Sequence, residues 1–202
     1  KSEREEGKQM ITFRRYHPGD EEQIIKLWNT CLTYDPISIE RFRRLILLDA
    51  NFDPQGMCLA FDRQQIIGCV YAVRRLLPMN GSDLEEDNGW IPFFFVAEAY
   101  QRGGVGTTLL KHALQFLREA GRKQVFFASY APNYILPGID EETYPAGYQF
   151  LKMQGFERQY APVAMDRSLV GYFYPQDVKS LKLLREGEGY SFSPLRDQDI
   201  YE

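Results

Sequence analysis

Three glycines, Gly103, Gly104 and Gly106, crowd the mouth of a helix in the stretch AYQRGGVGTTLLKHALQFLREAG at residues 99–121. A glycine inside a helix costs about 1 kcal/mol against alanine, so such a cluster needs a compensating role. A helix N-terminus presents unsatisfied N–H groups and the positive end of its dipole, and glycines let a phosphate oxygen come close to them. The spacing therefore points to a phosphate-bearing ligand. A P-loop would need Gly-Lys-Ser/Thr, whereas Gly106 is followed by Thr107 and Thr108. A dinucleotide fingerprint would need its third glycine where Leu109 stands. Neither nucleotide motif is met.

Other chemistries find less support. Cys31, Cys58 and Cys69 are odd in number and lack CxxC or Cys/His spacing, so they read as buried free thiols and no metal site is expected. His17 and His112 are the two histidines, and His112 sits mid-helix away from any nucleophile motif, which leaves a His-dependent triad little to draw on. The net charge of −4 is spread over interspersed residues of both signs, giving no basic field for nucleic acid or anionic lipid. The longest apolar run, WIPFFFVA, is far short of the ~20 residues of a membrane span. No signal-peptide pattern opens the sequence, and a cytoplasmic location is expected.

The elements that would position the glycine loop follow from periodicity. Residues 1–9 are charged and aperiodic and are expected to be flexible, with a strand starting at Met10. Asp20 is placed to cap a helix over 21–32, and Ser38 one over 39–50 after the Asp35-Pro36 break. Two strands joined by a polar turn at 62–65 form a hairpin, and NGWIPFFFVAEAY is a third strand in which Pro92 forces a bulge or a gap in pairing. The helix over 104–120 ends at Gly121; KQVFFAS is a strand, ETYPAGYQFLKMQ a helix, and residues 155–168 a final extended pair. The fold class is α/β with a mixed sheet, not a doubly wound one.

Gln101, Gly104 and Gly106 spell Gln/Arg-x-x-Gly-x-Gly/Ala after Phe95-Val96, and Gly155-Phe156 follows the later short helix. In this motif and in element order, residues 10–168 resemble the GNAT superfamily of acetyl-CoA-dependent N-acetyltransferases. The resemblance implies a mostly antiparallel central sheet flanked by helices, with strands splayed at an acyl-CoA site. It implies acetyl-CoA as cofactor, its pyrophosphate cradled by Gln101, Arg102, Gly103, Gly104, Val105, Gly106 and Thr107, and its pantetheine arm lying along Phe94, Phe95 and Val96. Alternate residues of Trp90, Phe93, Phe94 and Phe95 must still pack inward. A backbone N–H near Phe95 or Val96 would be the oxyanion donor.

Acetylation needs a free amine, and an alkyl amine of pKa about 10 is mostly protonated at neutral pH, so a carboxylate is expected nearby. Glu85, Glu86 and Asp87 precede the strand and Glu98 follows it; any of the four could act, with Glu98 and Glu86 named as the catalytic candidates, although the favoured reading of 84–87 is a solvated acidic loop. Family members often protonate the departing thiolate with a tyrosine four residues before Gly-Phe, and here that position is Leu151. Tyr144, where the family often has a CoA-contacting asparagine, is favoured as substitute over Tyr148, which helical spacing puts on another face. Leu151 keeps a second reading open, a non-catalytic acyl-CoA-binding or sensing module. The acceptor amine, of a small molecule or a protein, is not legible, and the oligomeric state is open between monomer and dimer.

Beyond Ser168 the sequence changes to a linker with a short helix over 169–188. GYSFSPLRDQDIYE at 189–202 then echoes MITFRRYHPGDEEQI, with Phe192, Leu195 and Asp199 matching Phe13, Tyr16 and Asp20. The echo suggests the opening of a second GNAT-like unit, as in the N-terminal part of a tandem protein; a single-domain enzyme with a C-terminal tail is the rival reading.

Overall fold

The computed structural model describes residues 11–193 except 80, 82, 162, 164 and 166. Five strands form one sheet in sequence order: β1 (Ile11–Arg15), β2 (Met57–Asp62), β3 (Gln65–Val73), β4 (Asn88–Val96) and β5 (Gln124–Phe127). The first four run antiparallel and β5 runs parallel to β4. A parallel partner requires a crossover, which α3 (Val105–Glu119) supplies. β2 and β3 are covered on both faces and read as nearly unbroken apolar runs, MCLAF and IIGCVYAV; β1, at the edge, alternates half-buried with exposed residues.

One face is covered by α1 (Glu21–Cys31) and α2 (Ile39–Phe42), the other by α3. Ile24 and Trp28 share the buried stripe of α1, and the Trp28 indole packs on Phe93 at 4.8 Å and Phe95 at 5.5 Å. On α3, Val105, Leu109, Ala113 and Leu117 make the stripe that meets β2, β3 and β4. His112 stacks near Phe13 at 5.9 Å, and burial lowers its pKa. Cys58 and Cys69 are buried free thiols and Cys31 is half-buried. Burial pushes the Cys31 thiol up to about 11, so it is protonated and inert at neutral pH.

Ser38 caps α2 by accepting from the Arg41 N–H, but the helix then widens into a π turn over Arg43–Leu47 and does not continue to residue 50 as an α-helix. Asp20 does not cap α1 with its side chain. Its carboxylate is taken by the Arg14 guanidinium in a two-pronged pair, 2.7 Å each, and by the His17 N–H at 2.8 Å. A charge-assisted bidentate pair outcompetes a neutral N–H, which accounts for the lost cap. Burial works against the charged carboxylate, yet Arg14 and His17 outweigh it and hold the Asp20 pKa below the ordinary value. The stabilisation is thus present above the unfolded carboxylate pKa of about 4 and is lost as pH falls through the lower folded value. Asp20→Asn should lower stability at pH 7 by about 1–2 kcal/mol and shrink the loss of stability below pH 4, as read by denaturant melts at both pH values.

Of the expected final extended pair over 155–168, Pro162, Ala164 and Asp166 lie outside the described residues; among the described residues no strand follows β5, and α4 (Pro145–Met153) ends in a left-handed Gly155 with mostly exposed residues after it. The chain divides into two compact units, Lys1–Pro162 and Val163–Glu202. In the second, α5 (Gln176–Gly187) is exposed throughout, as are Tyr172, Phe173, Tyr190 and Phe192. Of the echoed triplet, Leu195 and Asp199 lie outside the described residues, as do 1–9 and Met10. Among the described residues no helix is long and apolar enough to cross a membrane.

Candidate functional site

The geometry around the glycine loop begins with β4. Tyr71 pairs with Phe93, but Val73 pairs with Trp90, so β4 carries one extra residue at Ile91-Pro92. The proline bulge expected from the sequence is there. It puts Trp90, Phe93 and Phe95 together on the α1 face and Ile91 and Val96 on the α3 face. β5 follows β4 only from Asn88 to Ile91, and its last bond runs from the Ala128 N–H to the Ile91 carbonyl at 2.9 Å. Beyond that point β4 keeps one partner, β3. The sheet is splayed there.

Which main-chain groups face the gap is decided by register. The Ala97 N–H donates to the Ile67 carbonyl at 2.8 Å, and in an antiparallel ladder alternate residues exchange hydrogen bonds. Phe95 and Phe93 are therefore bonded to Cys69 and Tyr71, while Phe94 and Val96 turn their N–H and C=O groups toward the gap. The Val96 carbonyl is taken by the Gln101 side-chain amide at 3.0 Å. This bond ties the loop to the strand.

After a 3-10 turn over Glu98–Tyr100, Arg102 (φ 60°) and Gly104 (φ 84°) adopt left-handed conformations and swing the chain into α3. The N–H groups of Val105, Gly106 and Thr107, in the first turn of α3, have no partner within the helix. Residues 101–104 are exposed, and a side chain at Gly104 would project into open space. Gly106 is half-buried, and a Cβ there would touch the Phe94 ring at 3.4 Å and the Phe150 ring at 3.7 Å. Phe94 and Phe150 are themselves in contact, with centroids 5.5 Å apart. The loop, the gap-facing edge of β4 and α4 meet at Phe94.

The remaining residues singled out from sequence fall in different places. Phe95 is 4% exposed with its ring in the core under Trp28, so its side chain is structural. Glu98 is exposed on the 3-10 turn at the loop end of β4. Glu86 is exposed before the opposite end; the six steps from Asn88 to Phe94 alone span about 20 Å at ~3.3 Å each. Its carbonyl accepts from Arg122, and neighbouring Glu85 pairs with the buried Arg75, so this acidic run is built into a structural network. Tyr144 stands at the N-terminus of α4 with its hydroxyl 3.3 Å from Asp35 Oδ2. Burial, with the Asp35 charge adding to it, raises the Tyr144 pKa above the usual tyrosine value, so the phenol keeps its proton at pH 7. Tyr148 instead accepts from Arg158 on another face of α4, and Leu151 is buried.

Sequence reasoning missed Phe150 and Asp35. Phe150 carried no signal apart from its apolar type, and Asp35 was read only as a helix break before Pro36.

The sequence model described as Acetyltransferase (GNAT) family matches residues 21–135, more than half of the chain. The chain belongs to this family. Its domain carries the GNAT fold. Solved structures with the same fold include a transcriptional regulator from Bacillus halodurans C-125, 17% identical, TM-score 0.55, covering 78% of this chain and 100% of that one. The aminoglycoside 6'-N-acetyltransferase AAC(6')-Ig from Acinetobacter haemolyticus is 16% identical, TM-score 0.52, over 78% and 98%. AAC(6')-Iy in complex with a CoA-containing bisubstrate analogue is 15% identical, TM-score 0.53, over 79% and 99%. No curated protein matches. At these identities the structural likeness speaks for the GNAT fold alone.

Proposed function

We propose that the chain is an acetyl-CoA-dependent N-acetyltransferase that transfers the acetyl group to a primary amine by direct attack on the thioester. The observation that carries this reading is the continuity of the first-turn N–H groups of α3, Val105 to Thr107, with the gap-facing edge of β4. A pyrophosphate on that loop gains several N–H donors and a helix dipole. Gly103, Gly104, Val105 and Gly106 supply backbone, Gln101 holds the loop in place, and Arg102 and Thr107 flank it. A pantetheine arm has the Phe94 and Val96 N–H groups and the Phe94 carbonyl available in the gap, as an added strand would. The Val96 N–H is then the oxyanion donor, since that of Phe95 belongs to the ladder with Cys69.

Tyr144, protonated at neutral pH, is the general acid for the leaving thiolate. The thiolate, of pKa roughly 8.5, is already a tolerable leaving group. Glu98, exposed on the turn at the loop end of β4, is assigned to drawing the amine's proton away through water; Glu86 is assigned to the solvated acidic loop. A free-thiol release assay over a panel of primary amines tests the reading, and acetyl-CoA binding with no turnover on any amine would replace it with a sensing role. In that assay Tyr144→Phe should lower kcat about 100-fold, the low end of what a general acid supplies, while the melting shift on adding acetyl-CoA persists.

A further inference from the structure

Asp35 lies in the α1–α2 loop, half-buried, with its main chain fixed at both ends. Its N–H donates to the Leu32 carbonyl at 3.0 Å, and its own carbonyl accepts from the Trp28 indole Nε1–H at 2.7 Å. The carboxylate is far less occupied. Among the described residues its partner is the Tyr144 hydroxyl, at a long 3.3 Å to one oxygen. No described Lys, Arg or His pairs with it, whereas Asp20, Asp53 and Glu85 each hold an arginine. A half-buried carboxylate has room for about four hydrogen bonds and lacks a counter-charge here.

Its surroundings suit an organic cation. Tyr34, 78% exposed, meets Tyr144 edge-on with centroids 6.5 Å apart, so two aromatic side chains stand beside the carboxylate. Trp28 joins the corner to the splayed stretch of β4, because the indole that donates to Asp35 packs on Phe93 and Phe95. α4 joins it to the opposite face: Tyr144 at its start touches Asp35, and Phe150 near its end touches Phe94 and lies beside Gly106.

We infer that Asp35, Tyr34 and Tyr144 form the recognition corner for the acceptor, holding the ammonium of a small primary amine with aromatic or apolar carbon beside the charge. The inference rests on the acyl-transfer reading above. Tyramine and tyrosol, its neutral hydroxyl isostere, are the probes, and the indole N–H resonances of the chain's two tryptophans are the reporters. Titrating the full chain with tyramine should move the Trp28 resonance saturably and leave Trp90 still. Tyrosol should bind at least tenfold more weakly, and Asp35→Asn should weaken tyramine by at least tenfold. Equal binding of tyrosol, unchanged binding in the variant, or no response to tyramine would overturn the assignment. The tyrosol comparison uses the unaltered protein, so it stands even if the variant folds poorly. A melting shift with acetyl-CoA is measured in parallel: its loss would sink the cofactor assignment while leaving the tyramine result to judge Asp35.

Discussion

Replacing Gly106 by leucine should erase the thermal stabilisation that acetyl-CoA gives the unaltered chain. At a hundredfold excess over its Kd a ligand stabilises by about 2.7 kcal/mol, which in a chain of this size is a rise of roughly 5–10 °C in melting temperature. A Cβ at position 106 already lies 3.4 Å from the Phe94 ring and 3.7 Å from the Phe150 ring. The further carbons of leucine have to go where a ligand would cross from the N–H loop to the β4 edge. The fold itself should tolerate the change, since Gly106 has no left-handed φ to lose and lies in the first turn of α3. Gly104→Val attacks the same route from outside, because its side chain would project into the open space before the N–H groups. That variant also carries a left-handed strain of about 1–2 kcal/mol, so its own melting temperature without ligand must be the reference. A full melting shift surviving in both variants would show that the phosphate sits elsewhere.

The largest effect on stability should come from a residue with no part in chemistry. Gly56 closes the 3-10 turn Pro54–Gly56 that feeds β2, and a Cβ there would lie 2.1 Å from the Ala72 carbonyl oxygen and 3.1 Å from the Phe116 ring. The first neighbour is main chain of β3, set between the paired residues Tyr71 and Val73, and cannot step back as a side-chain tip can. Gly56→Ala should therefore cost about 3 kcal/mol or more, the upper end for overpacking, and lower the melting temperature by roughly 6–12 °C. Gly89 is the control: its Cβ would meet the Leu117 side chain at 2.7 Å, which can rotate away, so Gly89→Ala should cost visibly less in the same melt. Equal costs for the two would mean that β3 yields after all.

The main-chain geometry of the glycine loop and of β4 was legible in the amino-acid sequence, because its signals are local. The glycines at the mouth of α3 and Pro92 in β4 act through the backbone of their own few residues, and a bulge or an N–H cradle needs no distant partner to be anticipated. The same holds for the sequence order of strands and helices, set by apolar period. What the tertiary structure decided depends on neighbours remote in sequence. Asp20 read as a helix cap until Arg14 came within 2.7 Å of it, and Gly56 carried no message until Ala72 lay across from it. Residues 155–168 read as an extended pair, yet a local reading cannot supply a partner edge, and no strand is formed there among the described residues. The choice between the Phe95 and Val96 N–H groups hung on a register fixed by β3. Asp35 and Tyr144 stand 109 positions apart, and nothing in either neighbourhood announces the other. Hydrogen bonding and close packing act over a few ångströms of space, so the sequence by itself settled what the backbone could do, and folding chose which side chains would meet.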